Sequence, residues 1–336
     1  MTRDPTGRRP VAAGLSLPAL GFGTTTLGGM FRAVSDEEAR RAVDAAWDAG
    51  LRFFDTAPQY GCGLAERRLG AALSRRPRDE YVLSTKVGKL VVPPGSGGDP
   101  QPMFVGAPAD EILFDFSADG TRRSIDASLE RLGHDRIDIA LIHDVTRHFH
   151  GEDGVWVRYR EALAGAIPAL RRLKQEGVIR AFGIGLKDVD VAIRFVEEAG
   201  IDFVLLPARL TLLDQSGLEG LPQACAAHGV GVLAAGAFDS GILATGAVAG
   251  ATYGYREADA AIVARVRAIE AACARHAVPL PAAALQFPLL DPAVATVLAG
   301  MRSPDEVRQN LVWMRQPIPP SFWEDLQSEG LVRLPR

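Results

Sequence analysis

Several things are scarce in this chain of 336 residues. It has only three cysteines, Cys62, Cys225 and Cys273, far apart and odd in number. No Cys-x-x-Cys pair occurs, so neither a disulfide framework nor a zinc ribbon is implied, and a reducing compartment fits. Long apolar runs are missing: no window approaches about 18 uninterrupted apolar residues. The N-terminus also lacks an apolar stretch of signal-peptide length. The expectation is a soluble, cytoplasmic protein without a membrane partner. A basic excess is absent too, with 37 Lys and Arg against 41 Asp and Glu and a formal charge of −4. Nothing is left over to displace counterions from phosphates, so no nucleic acid is expected as partner. Pairs such as Arg171-Arg172 read as solvated helix faces. No Gly-x-Ser-x-Gly exists to build a nucleophile elbow. What remains, 47% hydrophobic and 23% charged, is ordinary for a globular domain.

Apolar runs and helix signals alternate along the chain. Residues 1 to 10 are polar and basic, a loose leader, and 11 to 17 read as a small hairpin closing one end of a core. A strand over 20–24 runs into the Thr- and Gly-rich loop Thr24 to Gly29. Ser35 with Glu38 three residues on is a capping box, opening a helix that stops at Gly50. Further strands are predicted over 52–55, 81–86, 137–142, 178–184, 202–206, 230–235 and 294–299. Helices are predicted over 63–75, 121–132, 158–176, 188–199, 218–228, 257–276 and 304–313, with a turn at 281–287. Residues 88 to 118 contain Pro-Pro-Gly-Ser-Gly-Gly-Asp-Pro and read as one long irregular loop after the third strand. Strands alternating with helices imply parallel pairing and right-handed crossovers. Eight such units fit a single (β/α)8 TIM barrel spanning residues 1–336, with reactive groups at the C-terminal strand ends. A doubly wound sheet fits less well. After Gly21-Phe-Gly23 no third glycine and no helix follow, and Gly229-Val-Gly231 lies inside a strand.

Four polar residues sit at that reactive edge. Arg52-Phe-Phe-Asp55 runs straight into a carboxylate, and Pro58 and Gly61 then turn the chain so that Tyr60 emerges beside it. Lys86 ends the third strand and His143 the fourth. A phenol is a poor acid or base near neutrality, with an unperturbed pKa of about 10. A nearby cation such as Lys86 would bring it toward working pH. His148, His150, Glu152 and Asp153 share one predicted loop and read as solvated, so no metal is expected. Cys62 reads as a packing residue.

Taken in order, Leu20-Gly-Phe-Gly-Thr24, Phe54-Asp-Thr-Ala-Pro-Gln-Tyr60-Gly, Leu83-Ser-Thr-Lys86 and Ile142-His143-Asp form one set of motifs. Ser240-Gly-Ile-Leu243 and Gly300-Met-Arg-Ser-Pro-Asp-Glu-Val-Arg-Gln-Asn310 continue it. Together these resemble the aldo-keto reductases over nearly the whole chain. The run 114–124 and the run 143–151 are similar to the branch holding L-fucose-type aldose 1-dehydrogenases and pyridoxal 4-dehydrogenase.

The resemblance implies an NAD(P)-dependent oxidoreductase of a small sugar or hydroxyaldehyde. Tyr60 would be its acid/base, Lys86 would lower the tyrosine pKa, Asp55 would orient Lys86, and His143 would hydrogen-bond the substrate oxygen. It further implies cofactor contacts from Gly23, Thr24, Asp55, Ser240, Gly241, Leu243, Gly300, Arg302, Ser303, Gln309 and Asn310. NADP-preferring relatives carry a basic residue where Gly300 stands and an Arg where Glu306 stands. NAD is therefore expected ahead of NADP, with Arg302 the residue that could favour NADP.

The chain departs from the family pattern in two places. Gly185-Leu186-Lys187 stands where many relatives have Ser-Asn, and Leu210 stands where an aromatic often stacks on the nicotinamide. The competing readings are a pyridoxal-type or other aldehyde or alcohol dehydrogenase and a redox-sensing subunit that holds the cofactor. The sequence leaves the oligomeric state open.

Overall fold

A computed structural model of the chain describes residues 4–335. Eight strands close into a parallel barrel. They are β1 (Leu20–Gly23), β2 (Phe53–Asp55), β3 (Val82–Val87), β4 (Ile137–His143), β5 (Ile179–Gly185), β6 (Phe203–Pro207), β7 (Gly231–Ala235) and β8 (Val294–Gly300). Closure comes from β8 pairing with β1, Gly300 opposite Gly23. The eight strands expected from the sequence are these eight, and the (β/α)8 barrel is the fold.

Helices wrap the outside: α1 (Asp36–Asp48), α2 (Leu64–Leu73), α3 (Ala118–Leu132), α4 (Arg147–Glu161), α5 (Ile167–Gln175), α6 (Val189–Ala199) and α7 (Leu221–His228). Past β7 come α8 (Ile242–Thr245), α9 (Ala260–Arg275) and α10 (Leu280–Gln286), and past β8 come α11 (Pro304–Arg315) and α12 (Pro320–Ser328). The Ser35–Glu38 capping box forms reciprocally at the start of α1. Successive strand side chains face opposite sides, so each strand feeds two cores. Phe53, Ile139, Leu141 and Leu205 fill the barrel, closed at one end by Leu15 and Leu17. Phe54, Leu83, Ile142 and Val204 instead pack outward under the helices.

Four expectations need correcting. The helix expected over 158–176 begins at Arg147, so His148, His150, Glu152 and Asp153 lie on α4 rather than on a loop. Gly151, at φ 71, kinks that helix, and with Gly154 it interrupts the local helical pattern. The stretch 88–118 is not irregular. Lys89–Val92, Glu111–Phe114 and Asp99–Pro100 form an antiparallel sheet. The Glu111 carboxylate organises its glycine-rich turn, accepting from Gly95 N at 2.8 Å and Gly98 N at 3.0 Å. The leader is not loose where it is described: the Pro5 carbonyl accepts from Leu20 N, and Arg8 reaches the Glu80 carbonyl. Residues 1–3 lie outside the described residues. The hairpin uses Arg9–Pro10 with Ser16–Leu17, and the turn at 281–287 is the helix α10.

Candidate active site

The two-residue alternation that sends Phe53 inward also sends Asp55 inward, and it does the same for Ser84, Lys86 and His143. Register then brings them together: Asp55 lies opposite Ser84, Lys86 opposite Leu141, and His143 opposite Gly185. Lys86 donates to Asp55 Oδ2 at 2.8 Å and to the Thr56 carbonyl at 2.8 Å. The Ser84 hydroxyl donates to the other Asp55 oxygen.

Tyr60 is placed by a backbone contact. Gly61 sits at φ 64, and a Cβ there would lie 2.4 Å from the Gly28 carbonyl oxygen. Only glycine allows the turn after β2 to press against the turn after β1. The Tyr60 ring then stands over Lys86 Nζ at 4.9 Å and edge-on to His143 at 6.2 Å.

The electrostatics divide these groups into roles. Burial disfavours the Lys86 ammonium, but Asp55 and Tyr60 outweigh it and push its pKa up to about 12, so it stays cationic. Burial raises the Tyr60 phenol above its ordinary value, and the Lys86 charge pulls against that rise without overcoming it. Lys86 therefore offsets desolvation, where the sequence alone pointed to a net lowering. Burial holds His143 well below its usual range, so the ring is neutral. Its Nδ1 has no hydrogen-bond partner among the described residues, and its Nε2 stands 3.4 Å from Asp144 Oδ2.

Beside this group is a second buried cation that sequence reasoning missed. Lys89 is 1% exposed and donates to Asp144 Oδ2 and Gln59 Oε1, both at 2.5 Å. The rings of Phe114 and Phe149 lie 5.0 and 4.4 Å from its ammonium. The signals were a lysine inside the apolar run Val87 to Val92 and a second acid directly after His143.

A cavity of about 730 Å³ opens over these residues. Asp55, Tyr60, Lys86, His143 and Asp144 line one end. Of the expected cofactor residues, Gly23, Ser240, Gly241, Gly300, Arg302, Gln309 and Asn310 also line it. Three others are not in its wall. Thr24 is fully buried, with its hydroxyl unpartnered. Leu243 packs in the core beside α9, and the Ser303 hydroxyl is taken up capping α11 through Glu306 N. Leu210 is likewise in the core under the helices. Lys187 lies over the Tyr255 ring at 5.4 Å. The sequence did not point to Tyr255, Asp239 or Trp313, all in the wall. Asp239 is raised to about 7 by burial, and its Oδ2 lacks a partner.

Known proteins resemble this chain in sequence and fold. The Aldo/keto reductase family model matches residues 19–329. The chain is 42% identical over 334 residues to a D-threo-aldose 1-dehydrogenase of a Pseudomonas species, covering 96% of this chain and 97% of that one. It is 40% identical to a pyridoxal 4-dehydrogenase of Microbacterium luteolum, covering 95% and 96%. In three dimensions it matches an aldo-keto reductase of Bacillus halodurans in its holo form, with a TM-score of 0.74 at 27% identity over 98% of this chain and 97% of that one. With strand ends, cavity and these relatives in agreement, the chain belongs to the aldo/keto reductase family and is an oxidoreductase.

Proposed function

We propose that the chain is an NAD-dependent dehydrogenase that oxidises the hemiacetal carbon of a cyclic aldose, or of a related hydroxyaldehyde, to a lactone. The observation that carries this is the convergence of Tyr60, cationic Lys86 and neutral His143 on one end of the cavity. The relatives support the substrate class, since the names of two specify an aldose and pyridoxal. Pyridoxal, like an aldose, closes on its own hydroxyl into a cyclic hemiacetal.

Enzymes of this family use NAD(P)H, and the wall beyond Tyr60 has the chemistry to hold such a dinucleotide. The backbone passes close at Gly241, φ 117, and at Gly300, where a Cβ would meet only Thr26 Cγ2 at 3.4 Å. Arg302 Nε is buried with no hydrogen-bond partner among the described residues, and Gln309 and Asn310 add amides to the wall. Ser240, Gly241, Gly300, Arg302, Gln309 and Asn310 would hold the dinucleotide, which when bound supplies the hydride acceptor.

The chain's own residues handle the proton. Tyr60 Oη, as phenolate, takes the proton of the C1 hydroxyl. Lys86 stabilises that phenolate, and Asp55 and the Thr56 carbonyl hold Lys86 in place. His143 donates through Nε2 to the same substrate oxygen and stays neutral while doing so. In the reducing direction Tyr60 returns the proton to the carbonyl oxygen. The test follows NADH formation by purified protein across aldoses, pyridoxal and simple alcohols. Turnover of aldoses or pyridoxal is expected. Tight dinucleotide binding with no turnover on any of them would instead mark a cofactor-holding regulatory subunit.

A further inference from the structure

Asp144 has no part in the proton chemistry above, yet it lines the same end of the cavity as Tyr60 and His143. Its backbone sits at φ 57, fixed by a hydrogen bond from its own N–H to the Gly185 carbonyl at 2.9 Å. That left-handed conformation is uncommon for a non-glycine residue and turns the chain sharply at the end of β4. The side chain is 17% exposed while its partner Lys89 is 1% exposed, so the pair shows the cavity its anion and hides its cation.

Only one carboxylate oxygen is used. Oδ2 accepts from Lys89 and stands 3.4 Å from His143 Nε2. Among the described residues no donor bonds Oδ1. Burial opposes the charged form, but the His143 ring and then the Lys89 ammonium hold the acid at about 2. His143 is itself neutral, so the lysine is the durable source of that effect. At working pH the group is an acceptor and nothing else.

A carboxylate of this kind needs a hydroxyl or an amine hydrogen opposite it. An apolar ligand there would strip its water and return nothing, which is how a polar wall rejects analogues lacking a hydroxyl. Its position fixes which hydroxyl that is. The reacting oxygen belongs on His143 Nε2, and Asp144 stands beside that nitrogen. The next oxygen of a vicinal diol lies about one hydrogen-bond length from the first.

We propose that Asp144 is the specificity residue of this site, accepting a hydrogen bond from the hydroxyl on the carbon next to the reacting one. The enzyme then selects polyhydroxylated hemiacetals over plain aldehydes and alcohols. This rests on the dehydrogenase reading above and adds to it the side chain that chooses the substrate.

The experiment compares kcat/KM for an aldose and for its 2-deoxy counterpart in wild type and in Asp144→Asn. Asparagine keeps the shape and an acceptor for Lys89, and it tolerates the left-handed backbone. Wild type is expected to prefer the aldose by about 10- to 100-fold, the worth of one hydrogen bond to a charged acceptor. In the variant the preference falls to within a few-fold, because turnover of the aldose drops far more than that of the 2-deoxy sugar. Equal losses on both sugars, or an undiminished preference, overturn the proposal, since a purely structural Asp144 would act on both alike. Calorimetry supplies a second readout on wild-type protein loaded with NADH. An aldonolactone should bind at least about tenfold tighter than its 2-deoxy form, and equal affinities overturn the proposal. If wild type turns over no aldose, the dehydrogenase reading falls by itself, and the lactone comparison still decides the role of Asp144.

Discussion

Lys86 and Lys89 stand three residues apart, both 1% exposed and both against an aspartate, yet their surroundings push them in opposite directions. Burial works against the charge on each. For Lys86 the Asp55 carboxylate and the Tyr60 phenol outweigh it, and the pKa rises to about 12. For Lys89 they do not, and the pKa falls below its ordinary value despite Asp144. The rest of the cage makes the difference. Lys86 has a second titratable partner in Tyr60, while Lys89 has Asp144 close by and is opposed by the like charge of Lys86. One strand end thus carries two ion pairs with different tasks. Lys86 aims its charge at the phenol, and Lys89 lends its charge to an acid on the cavity wall.

The comparison breaks most visibly by removing what Lys86 serves. Tyr60→Phe keeps the ring and deletes the transferable proton, so kcat should fall on the order of 10²–10⁴-fold while dinucleotide binding, read by fluorescence titration, survives. Near-wild-type rates would end the proposed role of Tyr60. Lys86→Met should lower activity as well, and it adds a pH signature. Oxidation needs the phenolate, so the rate rises with pH as Tyr60 ionises. Without the cation the tyrosine pKa climbs further, and that limb moves to higher pH. A limb that stays in place would show that another group titrates.

Lys89→Met should separate the two pairs. Turnover of a 2-deoxy sugar should stay within about tenfold of wild type, because Tyr60 and Lys86 are untouched. Urea unfolding should show a loss of roughly 1–3 kcal/mol, below the full cost of breaking a buried pair because Asp144 keeps some contact with solvent. A collapse in kcat on that sugar would put Lys89 in the proton chemistry and erase the distinction.

A third pair extends the contrast to the far end of the cavity. Glu306 accepts from Arg302 N at 2.8 Å and stands 3.6 Å from Arg302 Nε, so the guanidinium faces a carboxylate whose charge would oppose a ribose phosphate. NAD should be used about tenfold better than NADP by kcat/KM. Glu306→Gln should narrow that gap. A wild-type preference for NADP would show that Arg302 outweighs Glu306.

Much of this was legible in the residues. The alternation of apolar runs and capped helices marks the eight strands, and period-two alternation with strand-end polarity places Asp55, Lys86 and His143 on one rim. What escaped lies where local signals contradict tertiary context. Gly151 and Gly154 interrupt the helical pattern of α4, and the helix resumes after a kink at Gly151. The Gly- and Pro-rich stretch near 95 lacks strand propensity, and a single carboxylate, Glu111, supplies the order that propensity does not. Lys89 and Asp144 are far apart in the chain, and only the pairing of β3 with β4 makes them partners. The expected contacts at Leu243 and Ser303 rested on motif position, which does not say whether a side chain turns toward a cavity or toward its own helix.

The small sheet above the barrel bears on how copies of the chain meet one another. A closed barrel has no free strand edge, but an open antiparallel sheet exposes unpaired amides and carbonyls that can recruit a neighbouring chain. Glu111–Phe114 is central, so Lys89–Val92 is one edge and Asp99–Pro100 the other, the latter two residues long and exposed. One of its two residues has no amide hydrogen to donate, and the other carries a charge. The Asp99–Pro100 edge therefore offers too little ladder for a second molecule to extend, and strand addition on that side of the sheet is disfavoured.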